Sequence, residues 1–192
     1  MKFFATFITL AGITAAQDVQ SPPFSLVIFS KDKTLNGQNF TACHTGAAIE
    51  SLCLGYSGSE FYLNTTEGGQ SALPSYTQSG PLIWNLPIGD DHVSSAMQFY
   101  IEPSTNVANL LFEPGYTSQY VAFKKTTGEM AIISYLDDTV TPPVDGKAKP
   151  LTRWVVCTTN YLGYTYRTLN WVLGSKPQNP SCVHVGVKRV PV

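Results

Sequence analysis

The chain has 192 residues, 43% of them hydrophobic and only 13% charged, with a formal net charge of −1. So small a charged share, about half the usual one, requires a surface built from Ser, Thr, Asn, Gln, Tyr and Gly. The near-neutral balance gives no electrostatic footprint for nucleic acid or for an anionic membrane, and no run after the first sixteen residues approaches the roughly 18–20 apolar residues of a membrane helix.

Residues 1–16 read as a secretory signal peptide. Met1-Lys2 supplies a positive start, Phe3 to Ile13 is almost wholly apolar, and Thr14-Ala15-Ala16 offers the small residues a signal peptidase reads, leaving Gln17 as the mature N-terminus. Residues 17–192 are then a single secreted domain, long enough to bury a real core. The C-terminal Val-Lys-Arg-Val-Pro-Val is neither a hydrophobic lipid-anchor tail nor a retention signal, so a released, monomeric protein is expected.

Export governs the next features along the chain. Asn39-Phe40-Thr41 and Asn64-Thr65-Thr66 are intact glycosylation sequons, whereas Asn179-Pro180-Ser181 is blocked by its proline. A glycan must face solvent, which puts both asparagines on surface loops or strand ends. The four cysteines, Cys43, Cys53, Cys157 and Cys182, allow three pairings into two disulfides. Cys43–Cys53 and Cys157–Cys182 are favoured, because each joins sequence neighbours on segments that read as adjacent strands. A metal site built from cysteines with His44 or His184 is the rival, and the absence of any C-x-x-C pair argues against it.

Elements follow in order after Ser21-Pro22-Pro23. Phe24–Ser30 reads as the first strand. His44–Leu54 is the nearest thing to a helical stripe, but Gly46, Ser51, Cys53 and Gly55 weaken it. Phe61–Asn64, Leu82–Leu86 and Met97–Ile101 read as strands, the last alternating Met97, Phe99 and Ile101 against Gln98 and Tyr100. Gln119–Lys125 and Glu129–Leu136 flank Thr126-Thr127-Gly128, a hairpin-length loop. Thr139 to Pro150, with Pro142-Pro143 and Asp145-Gly146, reads as the longest loop. Arg153–Thr159, Tyr164–Leu173 and Cys182–Val190 complete an all-β domain of about ten short strands: a β-sandwich, a closed barrel or a β-trefoil.

Catalytic patterns are thin. Gly55-Tyr56-Ser57-Gly58-Ser59 resembles a nucleophile elbow, but its second glycine falls one position early and no strand–turn–helix context surrounds it. Asp90-Asp91-His92 offers oxygen ligands to a divalent cation and equally well makes a solvated turn. Asp137-Asp138-Thr139 reads as an Asx-type turn. A glycosidase needs two close carboxylates. Glu60, Glu102, Glu113, Asp137 and Asp138 are the candidates, and sequence alone does not pair them. No Gly-rich phosphate loop or dinucleotide fingerprint is present. The expectation is no catalytic residue, no metal and no cofactor.

The aromatic cluster carries more. Trp154, Tyr161, Tyr164, Tyr166 and Trp171 fall within eighteen residues. Aromatic faces suit sugar rings, whose axial C–H groups meet the π-cloud while hydroxyls find polar neighbours. Tyr161, Tyr164 and Trp171 are therefore the candidate carbohydrate-binding residues, against the alternative that such rings, Trp154 and Trp171 above all, fill the core. Tyr164 and Tyr166 share a face if their segment is a strand.

The run Tyr135-Leu136-Asp137-Asp138-Thr139, Pro142-Pro143 and Arg153-Trp154-Val155-Val156-Cys157 resembles a group of small, mostly uncharacterised secreted proteins of filamentous fungi. Tyr161-Leu162-Gly163-Tyr164-Thr165-Tyr166, Leu169 to Gly174, Pro177 to Cys182, Thr41 to Ala48 and Leu52-Cys53-Leu54 extend the likeness over most of the mature chain. It implies an extracellular or wall-associated location and no activity. Gly128 to Ile133 followed by Pro142-Pro143 is more faintly similar to fungal wall proteins of the internal-repeat and phialide type, without their glutamine-phenylalanine run before the prolines. Together these readings describe a non-enzymatic secreted glycoprotein acting at the cell wall or host surface. The alternatives are a carbohydrate-binding module, with wall polysaccharide or a host surface component as partner, and a glycoside hydrolase with an unrecognised carboxylate pair.

Overall fold

A computed structural model describes residues 18–55, 57–115 and 117–192. The leader at residues 1–16 lies outside the described residues. Fifteen strands and no helix occur among them: β1 (Asp18–Gln20), β2 (Phe24–Phe29), β3 (Asn39–Gly46), β4 (Ile49–Gly55), β5 (Tyr62–Thr66), β6 (Gly80–Ile88), β7 (Asp91–Tyr100), β8 (Val107–Glu113), β9 (Tyr120–Phe123), β10 (Met130–Asp137), β11 (Val144–Leu151), β12 (Trp154–Tyr161), β13 (Tyr164–Val172), β14 (Val183–His184) and β15 (Gly186–Pro191). All pair antiparallel, in the main order β11-β10-β9-β6-β7-β8-β13-β4-β3-β2-β15, with β5 continuing from β6 to β1 and β12 from β13 to β14.

The sheet curls into a half-barrel in which β15 comes back to the turn ahead of β10. Glu129 pairs with Lys188 in an isolated bridge, and the Arg189 amide donates to the Gly128 carbonyl at 2.9 Å. These contacts tie β15 to the turn ahead of β10, so the architecture stands nearer a barrel than a two-sheet sandwich.

Alternation explains why the sheet curls around one core. In β2, Phe24, Leu26 and Ile28 are buried while Ser25, Val27 and Phe29 turn outward. Successive strand side chains alternate faces, so one register choice fixes the whole inner surface. Phe40, Leu52, Phe61, Leu82, Met97, Leu110, Phe112, Phe123, Trp154 and Leu169 complete one contiguous cluster with them. Trp154 is fully buried, and its indole N–H donates to the Met130 carbonyl at 2.9 Å.

Both disulfides form as favoured, Cys43–Cys53 and Cys157–Cys182. In the loop-entropy model, spans of 10 and 25 residues contribute about 2.7 and 3.5 kcal/mol respectively.

Three expectations change. His44–Leu54, given no element from sequence because its helical stripe is weak, lies in the β3–β4 hairpin, with Ala48 at positive φ in its turn. The long loop is largely strand β11, pairing Leu151 with Ile132 and Val144 with Asp137 across a bulge. Its prolines and glycine hid it, yet β11 lies at the sheet edge, where a proline is tolerated and Lys147 and Lys149 discourage further pairing. With β1, β3, β4, β8 and β11 added, the strand count rises from about ten to fifteen.

Candidate functional site

The β12–β13 hairpin builds the most functionally suggestive surface. Tyr161 pairs with Tyr164, leaving the two-residue turn Leu162-Gly163. Both turn residues have positive φ, 49° and 89°, as a type I′ turn requires to match the strand twist. Glycine adopts this freely. Leu162 does so at a cost, with 66% of its surface exposed.

Aromatic side chains gather here. Tyr161 meets Tyr100 of β7 edge-on, with centroids 4.9 Å apart. Tyr164 stacks on Tyr166 at 6.1 Å, so the two do share a face, and it also makes a T-shaped contact with His44 at 5.4 Å. Tyr100 and Tyr164 are 40% and 38% exposed, which leaves ring surface open to solvent.

A groove of about 330 Å³ runs beside the Tyr100–Tyr161 pair. Asn109 of β8, Thr158 and Asn160 of β12, Asn179 and Thr105 line it with amides and hydroxyls, and Glu102 stands at its margin. The wall is tied down from behind. Asn179 Nδ2 donates to the Thr158 carbonyl at 2.9 Å, the Thr158 amide donates to Ser181 Oγ at 2.9 Å, and the adjacent Cys157–Cys182 disulfide anchors that loop to β12. Next to the groove the Thr159 and Thr168 hydroxyls bond at 2.8 Å, and Asn170 Nδ2 donates to the Thr168 carbonyl and hydroxyl at 2.8 and 3.0 Å. Rotamers locked in this way present recognition groups at low entropic cost on binding.

Electrostatics around the pair are mild. Burial raises the Tyr161 phenol above its ordinary value, helped by the charge of Glu113 and by Tyr100, so it stays a neutral donor. Nearby Glu50 is buried and its pKa is raised by desolvation, partly offset by His44, whose Nδ1 lies 3.6 Å from the carboxylate. A larger, more open cavity of about 810 Å³ lies between Phe29, Lys31, Asp32 and Val185. It offers one aromatic ring and charges of both signs, a less specific surface.

The candidates separate clearly. Tyr161 lines the groove, whereas Tyr164, across the turn on the same hairpin, packs against Tyr166 and His44 and does not line it. Nor does Trp171: it is 5% exposed, T-stacked on Trp154 at 4.6 Å and stacked on Phe99 at 5.7 Å. Position 171 points inward with the core alternation, so no sugar can reach it, and it leaves the binding set. Asn39 opens β3 as a strand end, but Asn64 sits inside β5 rather than on a loop. Both are half-buried beside inward-facing Phe40 and Leu63, and Asn64 Oδ1 accepts from Gln20 Nε2 at 3.1 Å. Asp90 lies in the two-residue β6–β7 turn with Gly89, Asp91 and His92 open β7 opposite Ile88 and Pro87, and no three potential ligands converge on a metal position among the described residues. The Asp137 carboxylate accepts from the Thr139 hydroxyl and amide, the expected Asx turn, and these bonds lower its pKa. Of the acidic candidates for glycoside hydrolysis, Glu102 lines the groove, Glu60 accepts from Tyr62, and Glu113 accepts from Gln98.

Tyr100 and Asn109 line the groove, and the sequence reading did not single them out. Tyr100 was visible as an alternating polar-face residue of Met97–Ile101, but nothing local placed it against Tyr161. Asn109 lies in the unread strand β8.

No curated protein and no solved structure is similar to this chain. Residues 21–191 match the family described as Domain of unknown function (DUF7907), and the chain belongs to that family.

Proposed function

We propose that this protein is a secreted, non-enzymatic glycoprotein that works by binding glycan at a cell wall or host surface, through the groove beside Tyr100 and Tyr161. The carrying observation is one concavity where two tyrosine rings at 4.9 Å adjoin amides and hydroxyls from two strands, β8 and β12, and a disulfide-tied loop. Sugar recognition needs that combination: apolar ring surface for C–H faces, and fixed polar groups for the hydroxyls. Extracellular residence is supported by the leader, the sequons at Asn39 and Asn64, and two disulfides with no free cysteine among the described residues. The likeness to small secreted proteins of filamentous fungi points the same way.

A glycan array and a wall-polysaccharide pull-down test the reading, with wild type and Tyr161→Ala side by side. Wild type should bind at least one polysaccharide class. Loss of the Tyr161 ring should weaken binding about two- to twelvefold, the worth of an aromatic contact of roughly 0.5–1.5 kcal/mol. Blank results for wild type on both formats would remove the proposal.

A further inference from the structure

Resting on that reading, we infer that the groove is selective for glycans carrying free amino groups over uronic acids, with Glu102 as the specificity-determining carboxylate. The lining is uncharged except for Glu102. No Lys, Arg or His lines the groove among the described residues, so nothing there would compensate a sugar carboxylate. Lys176, on the neighbouring loop, meets this end of the molecule through its backbone carbonyl, which accepts from Asn106 Nδ2 at 2.8 Å.

Glu102 itself is uncommitted. It forms no ion pair among the described residues, and its carboxylate accepts only a long hydrogen bond, from the Ser104 amide at 3.3 Å. It is exposed at the rim and free to meet an incoming cation. Glu113 adds a second negative charge near enough to Tyr161 to raise its phenol further. A sugar ammonium entering beside the tyrosine pair thus meets carboxylate charge and ring π-faces together, both attractive to a cation. A uronate meets only repulsion. N-acetylation removes the ammonium and leaves the ring contacts, so neutral oligomers form the intermediate case.

Calorimetric titration of the intact protein with three oligosaccharides of equal length tests this: an N-acetylated β-1,4-glucosamine oligomer, its deacetylated form, and an oligogalacturonate. The deacetylated oligomer should bind about two- to fivefold more tightly than the acetylated one at low salt, the range of an exposed ion pair, and the oligogalacturonate most weakly. Raising the salt to about 0.5 M should erase the preference by screening. In Glu102→Gln the ratio of amino to acetylated affinity should fall to about one. Equal affinities in wild type, tightest binding of the uronate, or a preference that survives Glu102→Gln would overturn the inference while leaving glycan binding standing. Failure of all three sugars to bind would overturn this inference, and the array and pull-down then decide separately whether glycan binding stands.

Discussion

Closing the curled sheet depends on a backbone approach that only glycine permits. Gly128 has φ +73°, and a β-carbon there would lie 2.7 Å from the Arg189 carbonyl oxygen, a backbone atom that cannot rotate away. Gly128→Ala therefore costs on two counts. Holding alanine in the left-handed region costs about 1–2 kcal/mol. Pushing β15 away weakens the Arg189 amide to Gly128 carbonyl bond and the Glu129–Lys188 pairing, each worth about 1 kcal/mol. The expected total is about 3–4 kcal/mol. Gly68→Ala isolates the first part, since Gly68 has φ +70° and nothing within 4 Å of its β-carbon position, so it should cost about 1–2 kcal/mol. Urea unfolding of both variants with the disulfides intact should show the difference of about 2 kcal/mol, equivalent to about 4–8 °C in Tm for a domain of this size. Equal destabilisation of the two variants would refute closure of the sheet through Gly128 and Arg189.

Other outcomes follow from the same geometry. The double variant Cys157→Ala, Cys182→Ala should lose about 3.5 kcal/mol of stability in denaturant titration, and should weaken glycan binding because the loop bearing Asn179 is released. Leu162→Asn should raise the unfolding free energy in denaturant titration by about 0.5–1 kcal/mol, since asparagine tolerates the φ of 49° better than leucine. For Glu50, burial raises the folded-state pKa above 4.5, so the folded state binds the proton more tightly than the unfolded chain does. Its contribution is fully present below pH 4.5 and is lost as the pH rises through the raised value, and Glu50→Gln should flatten that slope in thermal melts recorded across the acid range.

Much of this fold was legible because its strands alternate. Phe24, Leu26 and Ile28, or Met97 and Phe99, announce an inward face in a few residues. Thr126-Thr127-Gly128 announces a hairpin, and Gly128 at positive φ makes that loop. Strands that break composition rules were lost: β11 carries Gly146 and Pro150 because an edge strand tolerates them, and the β3–β4 hairpin turns through Ala48 rather than a glycine. The site was half visible. Tyr161 and Tyr164 flank their own turn, so local spacing found them. Trp171 differs from them only in which face it takes and how deep it lies, and composition alone does not separate a core ring from a surface ring. Tyr100 and Asn109 join the site through β7–β8 and β8–β13 pairing, long-range facts that no local pattern contains.

The account's central claim is that glycan is met at the Tyr100–Tyr161 groove. Backbone amide chemical-shift mapping of the isotope-labelled protein, during titration with a bound wall oligosaccharide, tests it most directly. The account predicts saturable shifts concentrated at Tyr100, Asn109, Asn160 and Tyr161. Shifts centred instead on Phe29, Lys31 and Val185, with the tyrosine groove silent, would contradict it.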